Sequence, residues 1–144
     1  MVIGTYSSAL SLKRRSAIPK KFLQELGKKL IIAKWYEGCL VLVSLTAWQA
    51  LLNKLTGTSD MITAPVRDTD RFILGSAYEL DPDDQGRVII PKTLSDYAKL
   101  TEKLVYIGLG NRVEIWDEAK WSEHEKYVSA HAGEFIEELA KNDK

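Results

Sequence analysis

The sequence predicts an α+β, β-rich fold. Two copies of one small module share a single core about a pseudo-two-fold axis, and a C-terminal helical extension follows. Three observations predict it. The stretch S-L-K-R-R-S-A-I-P-K, Ser11 to Lys20, returns seventy-two positions later as D-D-Q-G-R-V-I-I-P-K, Asp83 to Lys92. Arg15, Ile18, Pro19 and Lys20 thereby fall on Arg87, Ile90, Pro91 and Lys92; Tyr6 and Val41 fall on Tyr78 and Val113, and Trp48 meets Trp121 after a one-residue slip. A registered repeat of this kind marks a duplicated unit. Each copy also carries short apolar runs of strand length punctuated by turn residues, with one short helical segment between them. Finally, neither copy offers enough apolar area for a stable domain of its own, so the halves are expected to share their core and unfold together. The boundaries read as a first repeat over 5–47, connecting helices and linker over 48–75, a second repeat over 76–119 and the extension over 120–144.

In chain order, Thr5 to Leu10 reads as a strand, Ser11 to Arg14 as a reversal and Arg15 to Ile18 as a second strand, the two forming a ribbon with the reversal at its tip. Pro19 is expected at the first position of a helix, where its missing N–H costs nothing. Phe22, Leu23 and Leu26 give the segment Lys20 to Leu26 one apolar face, and Gly27 stops it. Leu30 to Lys34 and Cys39 to Ser44 are strand-like runs joined through Trp35-Tyr36-Glu37-Gly38. Thr46 is placed to cap a helix carrying Ala47, Trp48, Leu51, Leu52 and Leu55 at helical spacing. Thr56 to Ala64 is turn-rich and reads as a connection. Pro65 opens a helix to about Leu74, and the module then repeats. Ala77 to Leu80 is strand, Asp81 to Gly86 turn, Arg87 to Ile90 strand, Pro91 to about Ala98 helix, and Leu104 to Gly108 pairs with Arg112 to Trp116 around Gly110-Asn111. Asp117 is expected to cap a long tail whose apolar side is Trp121, Val128, Phe135, Ile136 and Leu139, with Gly133 as an interruption.

The 144 residues carry 20 basic and 20 acidic side chains, yet the balance is uneven along the chain. Met1 to Thr56 holds nine Lys/Arg and two Asp/Glu, a net of +7, and the remainder is −7. A basic half favours an anionic partner, nucleic acid above all; the alternative is a merely solvated lysine surface. The +7 and −7 regions also favour head-to-tail self-association, which closes into rings when the rotation permits. No run of eighteen apolar residues and no secretory leader pattern occurs, so a cytoplasmic protein with no membrane partner is expected. The single cysteine, Cys39, reads as a small buried hydrophobe.

These motifs resemble the MraZ family of bacterial transcription regulators, built from two SpoVT-AbrB-type repeats, each with an Asp-x-x-Gly-Arg turn followed closely by Ile-Pro or Leu-Pro. The second copy matches in Asp83, Gly86, Arg87, Ile90 and Pro91, and I-G-T-Y (Ile3 to Tyr6) and V-E-I-W-D (Val113 to Asp117) also resemble the family. The first copy departs, with Ser11 for the Asp and Arg14 for the Gly; a left-handed backbone is costly for a long side chain, so either that turn differs or it carries strain. The resemblance implies tandem SpoVT-AbrB-like repeats, ring-shaped homo-oligomers, and binding to repeated promoter boxes of a division and cell-wall gene cluster, hence a nucleoid-associated protein.

The residues supply an independent reason for DNA binding. Lys13, Arg14 and Arg15 cluster at the first turn, where guanidinium forks reach phosphates or guanine edges, and Lys20 and Lys21 add phosphate contacts at the helix start. The second turn carries Asp81, Asp83 and Asp84, which repel phosphate. Asp83, Gly86 and Arg87 are therefore read as a structural turn: an Asx-type cap, a position needing positive φ, and a partner for a carboxylate.

Other constellations fail on spacing. D-P-D-D-Q-G starts like a calcium loop, but its twelfth position is Lys92 where a bidentate Glu belongs. His124 and His131 are seven apart on a helix, too far for a paired metal site, and read as solvated or interface residues. Trp35, Trp48, Trp116 and Trp121 read as core or subunit-interface aromatics rather than a base-stacking platform. No catalytic motif appears, so no enzyme, cofactor, metal or small-molecule substrate is expected. The alternative to a regulator is a protein-binding or scaffolding module on the same fold.

Overall fold

The computed structural model describes residues 1–56 and 63–142. It is an α+β chain of eight strands and five helices among those residues: β1 (Val2–Ala9), β2 (Arg15–Ala17), α1 (Lys20–Leu26), β3 (Leu30–Lys34), β4 (Leu40–Ser44), α2 (Leu45–Thr56), α3 (Ala64–Ile73), β5 (Tyr78–Leu80), β6 (Arg87–Ile89), α4 (Lys92–Tyr97), β7 (Lys103–Gly110), β8 (Val113–Asp117) and α5 (Glu118–Asn142). All pairings are antiparallel. Six strands form one sheet in the order β1-β7-β8-β4-β3-β5, and β2 and β6 form a separate two-stranded ribbon.

The hairpins β3–β4 and β7–β8 are local, turning at Gly38 and Gly110, both at positive φ. The outer pairings are not local. β1 runs along β7 from Val2 opposite Gly110 to Ala9 opposite Lys103, and β5 runs along β3. The ribbon expected from β1 and β2 therefore does not form. β2 instead pairs with β6, Arg15 opposite Ile89 and Ala17 opposite Arg87. The ends of this ribbon are tied by two bonds, Ile18 N–H to the Gly86 carbonyl at 3.0 Å and Ile90 N–H to the Arg14 carbonyl at 2.8 Å. Moving Ile18 forward and Gly86 back by seventy-two residues gives Ile90 and Arg14, the residues of the second. Strands closed by such exchange satisfy their backbone groups only when both halves are present.

Strand alternation divides the core between the two faces of the sheet. Leu30, Ile32, Leu40, Leu42, Leu104 and Tyr106 point to one side, where Ile18 and Phe22 from the first half meet Val88, Ile90, Leu94 and Ala98 from the second. Ile31, Ala33, Val41, Val43, Val105 and Ile107 point to the other, covered by Leu51, Ile73, Trp35 and Trp116, with Trp48 and Trp121 packed against them. With both faces covered, the central strands read as continuous apolar runs. Cys39 is fully buried, and burial first, then the negative charges of Glu114 and Glu37, push its thiol far above the usual range.

Several helix ends differ from expectation. Pro19 and Pro91 sit one residue before α1 and α4, at the cap position. The Ser44 hydroxyl, not Thr46, accepts the Ala47 N–H at 3.2 Å, because α2 begins at Leu45, two residues earlier than a Thr46 cap requires. The buried Asp117 carboxylate accepts the Thr101 N–H and hydroxyl instead of capping α5. α5 passes through Gly133 unbroken. Most of the connection expected over Thr56 to Ala64 lies outside the described residues.

Candidate nucleic-acid interface

The β2–β6 ribbon has one buried and one exposed face. Ser16 and Val88 alternate inward, 2% and 3% exposed, and the flanking positions Arg15, Ala17, Arg87 and Ile89 face outward. Arg15 lies opposite Ile89, and Arg87 opposite Ala17, so the two arginines are diagonal neighbours, roughly 7–8 Å apart at the backbone. A two-stranded ribbon fits the width of the DNA major groove. The ribbon is held to the sheet beneath it: the Ser16 hydroxyl is 2.8 Å from that of Tyr106, and the Ser8 hydroxyl donates to the Ala17 carbonyl at 2.8 Å.

The turns at its two ends share their backbone pattern. Ser11 N–H donates to the Arg15 carbonyl and Arg14 N–H to the Ser11 carbonyl; Asp83 N–H donates to the Arg87 carbonyl and Gly86 N–H to the Asp83 carbonyl, all at 2.9 Å. In the second turn Asp83 Oδ1 accepts the Gln85 and Arg87 N–H groups at 2.9 Å each, and Oδ2 accepts Arg87 Nε at 3.0 Å. The Arg87 N–H, foremost among these donors, holds the Asp83 carboxyl below its usual range. Gly86 has φ +76°, and a Cβ there would lie 2.9 Å from Leu23 Cδ2. In the first turn Ser11 Oγ accepts the Arg15 N–H at 3.1 Å. Arg14 itself takes the left-handed conformation, φ 60°, so the turn keeps its form and the Arg14 backbone bears the strain.

Lys13, Arg15, Lys20 and Lys21 are exposed, and Arg14 is half-buried with its Nε donating to the Ile90 carbonyl at 3.0 Å. Arg14 thus leans back onto the second half. Lys20 lines a groove with Asp83 and Asp84, at the foot of the second turn. In the sequence Arg87 stands apart from the basic cluster; in the fold Ile89, 49% exposed, lies opposite Arg15, and Lys92 pairs with Asp96 at 2.8 Å. Local charge hid Arg87; only the exchanged register brings it beside Arg15.

The remaining groups are accounted for by packing. His124 stacks on Trp116 at 5.1 Å between ring centres. Among the described residues no group of three or more His, Cys, Asp or Glu is placed to hold a metal ion, and no helix is long and apolar enough to cross a membrane.

Residues 73–142 match the profile of a family described as an antitoxin-like MraZ protein. A protein of Caldanaerobacter subterraneus subsp. tengcongensis, named transcriptional regulator MraZ, is 36% identical over 139 residues, covering 96% of each chain. Proteins of the same name from Syntrophomonas wolfei and Clostridium acetobutylicum are 37% identical over 142 residues and 40% over 127, covering 99% and 86% of this chain and 96% and 87% of their own.

Proposed function

The chain belongs to the MraZ family, and from that membership we propose that it is a sequence-specific DNA-binding transcriptional regulator whose interface is the β2–β6 ribbon. The observation that carries the reading is the pairing of β2 with β6, which sets exposed Arg15 and half-buried Arg87 as diagonal neighbours on the outward face of the ribbon. Lys13, Arg15, Lys20 and Lys21 supply charge for phosphate, Arg14 braces the ribbon through Ile90, and Asp83 and Gly86 shape the turn that presents Arg87.

In this reading 5–47 and 76–119 are tandem SpoVT-AbrB-like repeats about a pseudo-two-fold axis. The reciprocal Ile18–Gly86 and Ile90–Arg14 bonds and the shared first core support it. The +7 and −7 regions, with Tyr127, Ile136 and Leu139 of α5 exposed, support ring-shaped self-assembly, which would align several ribbons along repeated promoter boxes and gain through effective concentration. The division and cell-wall gene cluster is the proposed target, and the nucleoid in the cytoplasm the proposed location.

The test is a gel-shift titration of the promoter duplex from the protein's own operon, with sedimentation in moderate salt alongside. Salt-dependent binding by an oligomer is expected. No binding at any salt would favour a scaffolding role, and a monomer across micromolar concentrations would remove the ring.

A further inference from the structure

The two turns at the ends of the ribbon keep the same backbone bonds and differ in what they do to their arginines. Arg87 is clamped: Asp83 Oδ2 takes its Nε at 3.0 Å, and Asp83 is itself fixed by two backbone N–H groups on Oδ1. The clamp sets the guanidinium plane and leaves the two terminal nitrogens without a hydrogen bond among the described residues. Ser11, standing where Asp83 stands, accepts the backbone N–H of Arg15, and among the described residues no carboxylate pairs with the Arg15 guanidinium. The helices facing the turns differ in a matching way. Leu23 crowds Gly86, whereas the corresponding position beside Arg14 is Ser95, which lines the same groove as Arg14 and is small enough to admit a long side chain. The paired exchanges, Gly with Leu and Arg with Ser, make the asymmetry a built feature of this chain.

Resting on the DNA-binding reading, we propose that the two turns of one protomer do unequal work: Arg87, positioned by Asp83, is the specificity-determining residue that reads a base edge, and Arg15 makes a phosphate contact. A guanine edge is recognised by two parallel N–H groups in one plane, so a guanidinium already fixed in its plane loses less freedom on docking. Phosphate accepts a charge from many directions. The surroundings agree with this division. Lys13 and Arg14 accompany Arg15 with no acid in the turn, which favours charge-driven contact, whereas Asp81 and Asp84 beside Arg87 weaken the general pull on phosphate and leave geometry to decide. One protomer therefore reads a lopsided site, half by base identity and half by charge.

Lysine substitutions separate the two roles, because lysine keeps the charge and loses the fork. Arg15→Lys, Arg87→Lys and Asp83→Asn would be compared with wild type by fluorescence anisotropy, using the duplex from the protein's own promoter and a shuffled duplex of equal composition. Folding would be checked by circular dichroism. Asn at position 83 still accepts the turn N–H groups but releases the arginine, so it tests positioning if Arg87→Lys does not fold. Arg87→Lys and Asp83→Asn should lower the preference for the promoter duplex on the order of tenfold while leaving affinity for the shuffled duplex near wild type, and Arg15→Lys should keep the preference. Loss of preference in Arg15→Lys alone, or equal loss in both lysine variants, overturns the inference. Wild-type protein that binds both duplexes equally overturns it too but leaves DNA binding standing; wild-type protein that binds neither removes the DNA-binding reading itself and the inference with it.

Discussion

The hydroxyl of Tyr106, fully buried on the central strand β7, lies 2.8 Å from the hydroxyl of Ser16, the inward residue at the middle of the ribbon. This contact fastens the ribbon to the sheet from below. Tyr106→Phe would leave Ser16 with only the Ser8 hydroxyl at 3.3 Å, and should cost about 1–2 kcal/mol in denaturant unfolding. Burial also pushes the Tyr106 hydroxyl up to about 12 from 10.0. A raised value means that this stabilisation is complete below pH 10 and is lost as the pH climbs towards 12, so the phenylalanine variant should show a shallower alkaline decline.

Gly108 stands opposite Gly4 where β7 meets β1, and a Cβ on it would fall 2.7 Å from the Ile3 nitrogen and the Val2 carbonyl carbon. Those are backbone atoms that cannot rotate aside. Gly108→Ala should destabilise by about 1–3 kcal/mol. Gly133, with nothing within 4 Å of its added Cβ and a place inside α5, makes the matched control; alanine there should stabilise by up to about 1 kcal/mol. Thermal melts of the two variants check both signs.

Burial, opposed by the Trp116 Nε1–H bond at 2.9 Å and by Arg112, holds the Glu114 carboxyl above its ordinary 4.5. The folded state therefore binds the proton more readily than the unfolded chain. That favourable contribution is complete below pH 4.5 and is lost as the pH rises through the raised folded value, above which the ionised group is instead a burden. Glu114→Gln should raise the melting temperature at pH 7, with the gain shrinking as the pH falls towards 4.5. A variant that melts lower than wild type at pH 7 would show the carboxylate to be net stabilising.

Features set by neighbouring residues are legible in the sequence alone. The apolar face of Phe22, Leu23 and Leu26 with Gly27 behind it gives α1 its bounds, Lys20–Leu26, and the two inner hairpins follow from apolar runs around Gly38 and Gly110. Strand partners were not legible, because periodicity states which face a residue takes and not which distant strand lies beside it. β1 therefore appeared to belong with β2 and not with β7, and β2 with its own turn and not with β6. The caps failed for a related reason: Ser44 and Thr46 are equivalent by residue type, and only the start of α2 decides between them. The basic cluster at Lys13 and Arg15 was visible as charge. The place of Arg87 beside Arg15 was not visible, because Asp81, Asp83 and Asp84 surround it in the sequence and only the β2–β6 register brings the two together; Asp83 accepts its Nε, as the turn reading expects.

The most direct test of the shared interface is DNA affinity of Arg15→Ala and Arg87→Ala against wild type. The measurement is fluorescence anisotropy with the promoter duplex over a series of salt concentrations, with folding and oligomer state matched. If the ribbon is the interface, both variants weaken binding. Arg15→Ala should flatten the salt slope by about one unit, and Arg87→Ala should lose on the order of tenfold in affinity for the promoter duplex. Loss on Arg15→Ala with wild-type affinity for Arg87→Ala would contradict the account, placing the contact in the first turn alone.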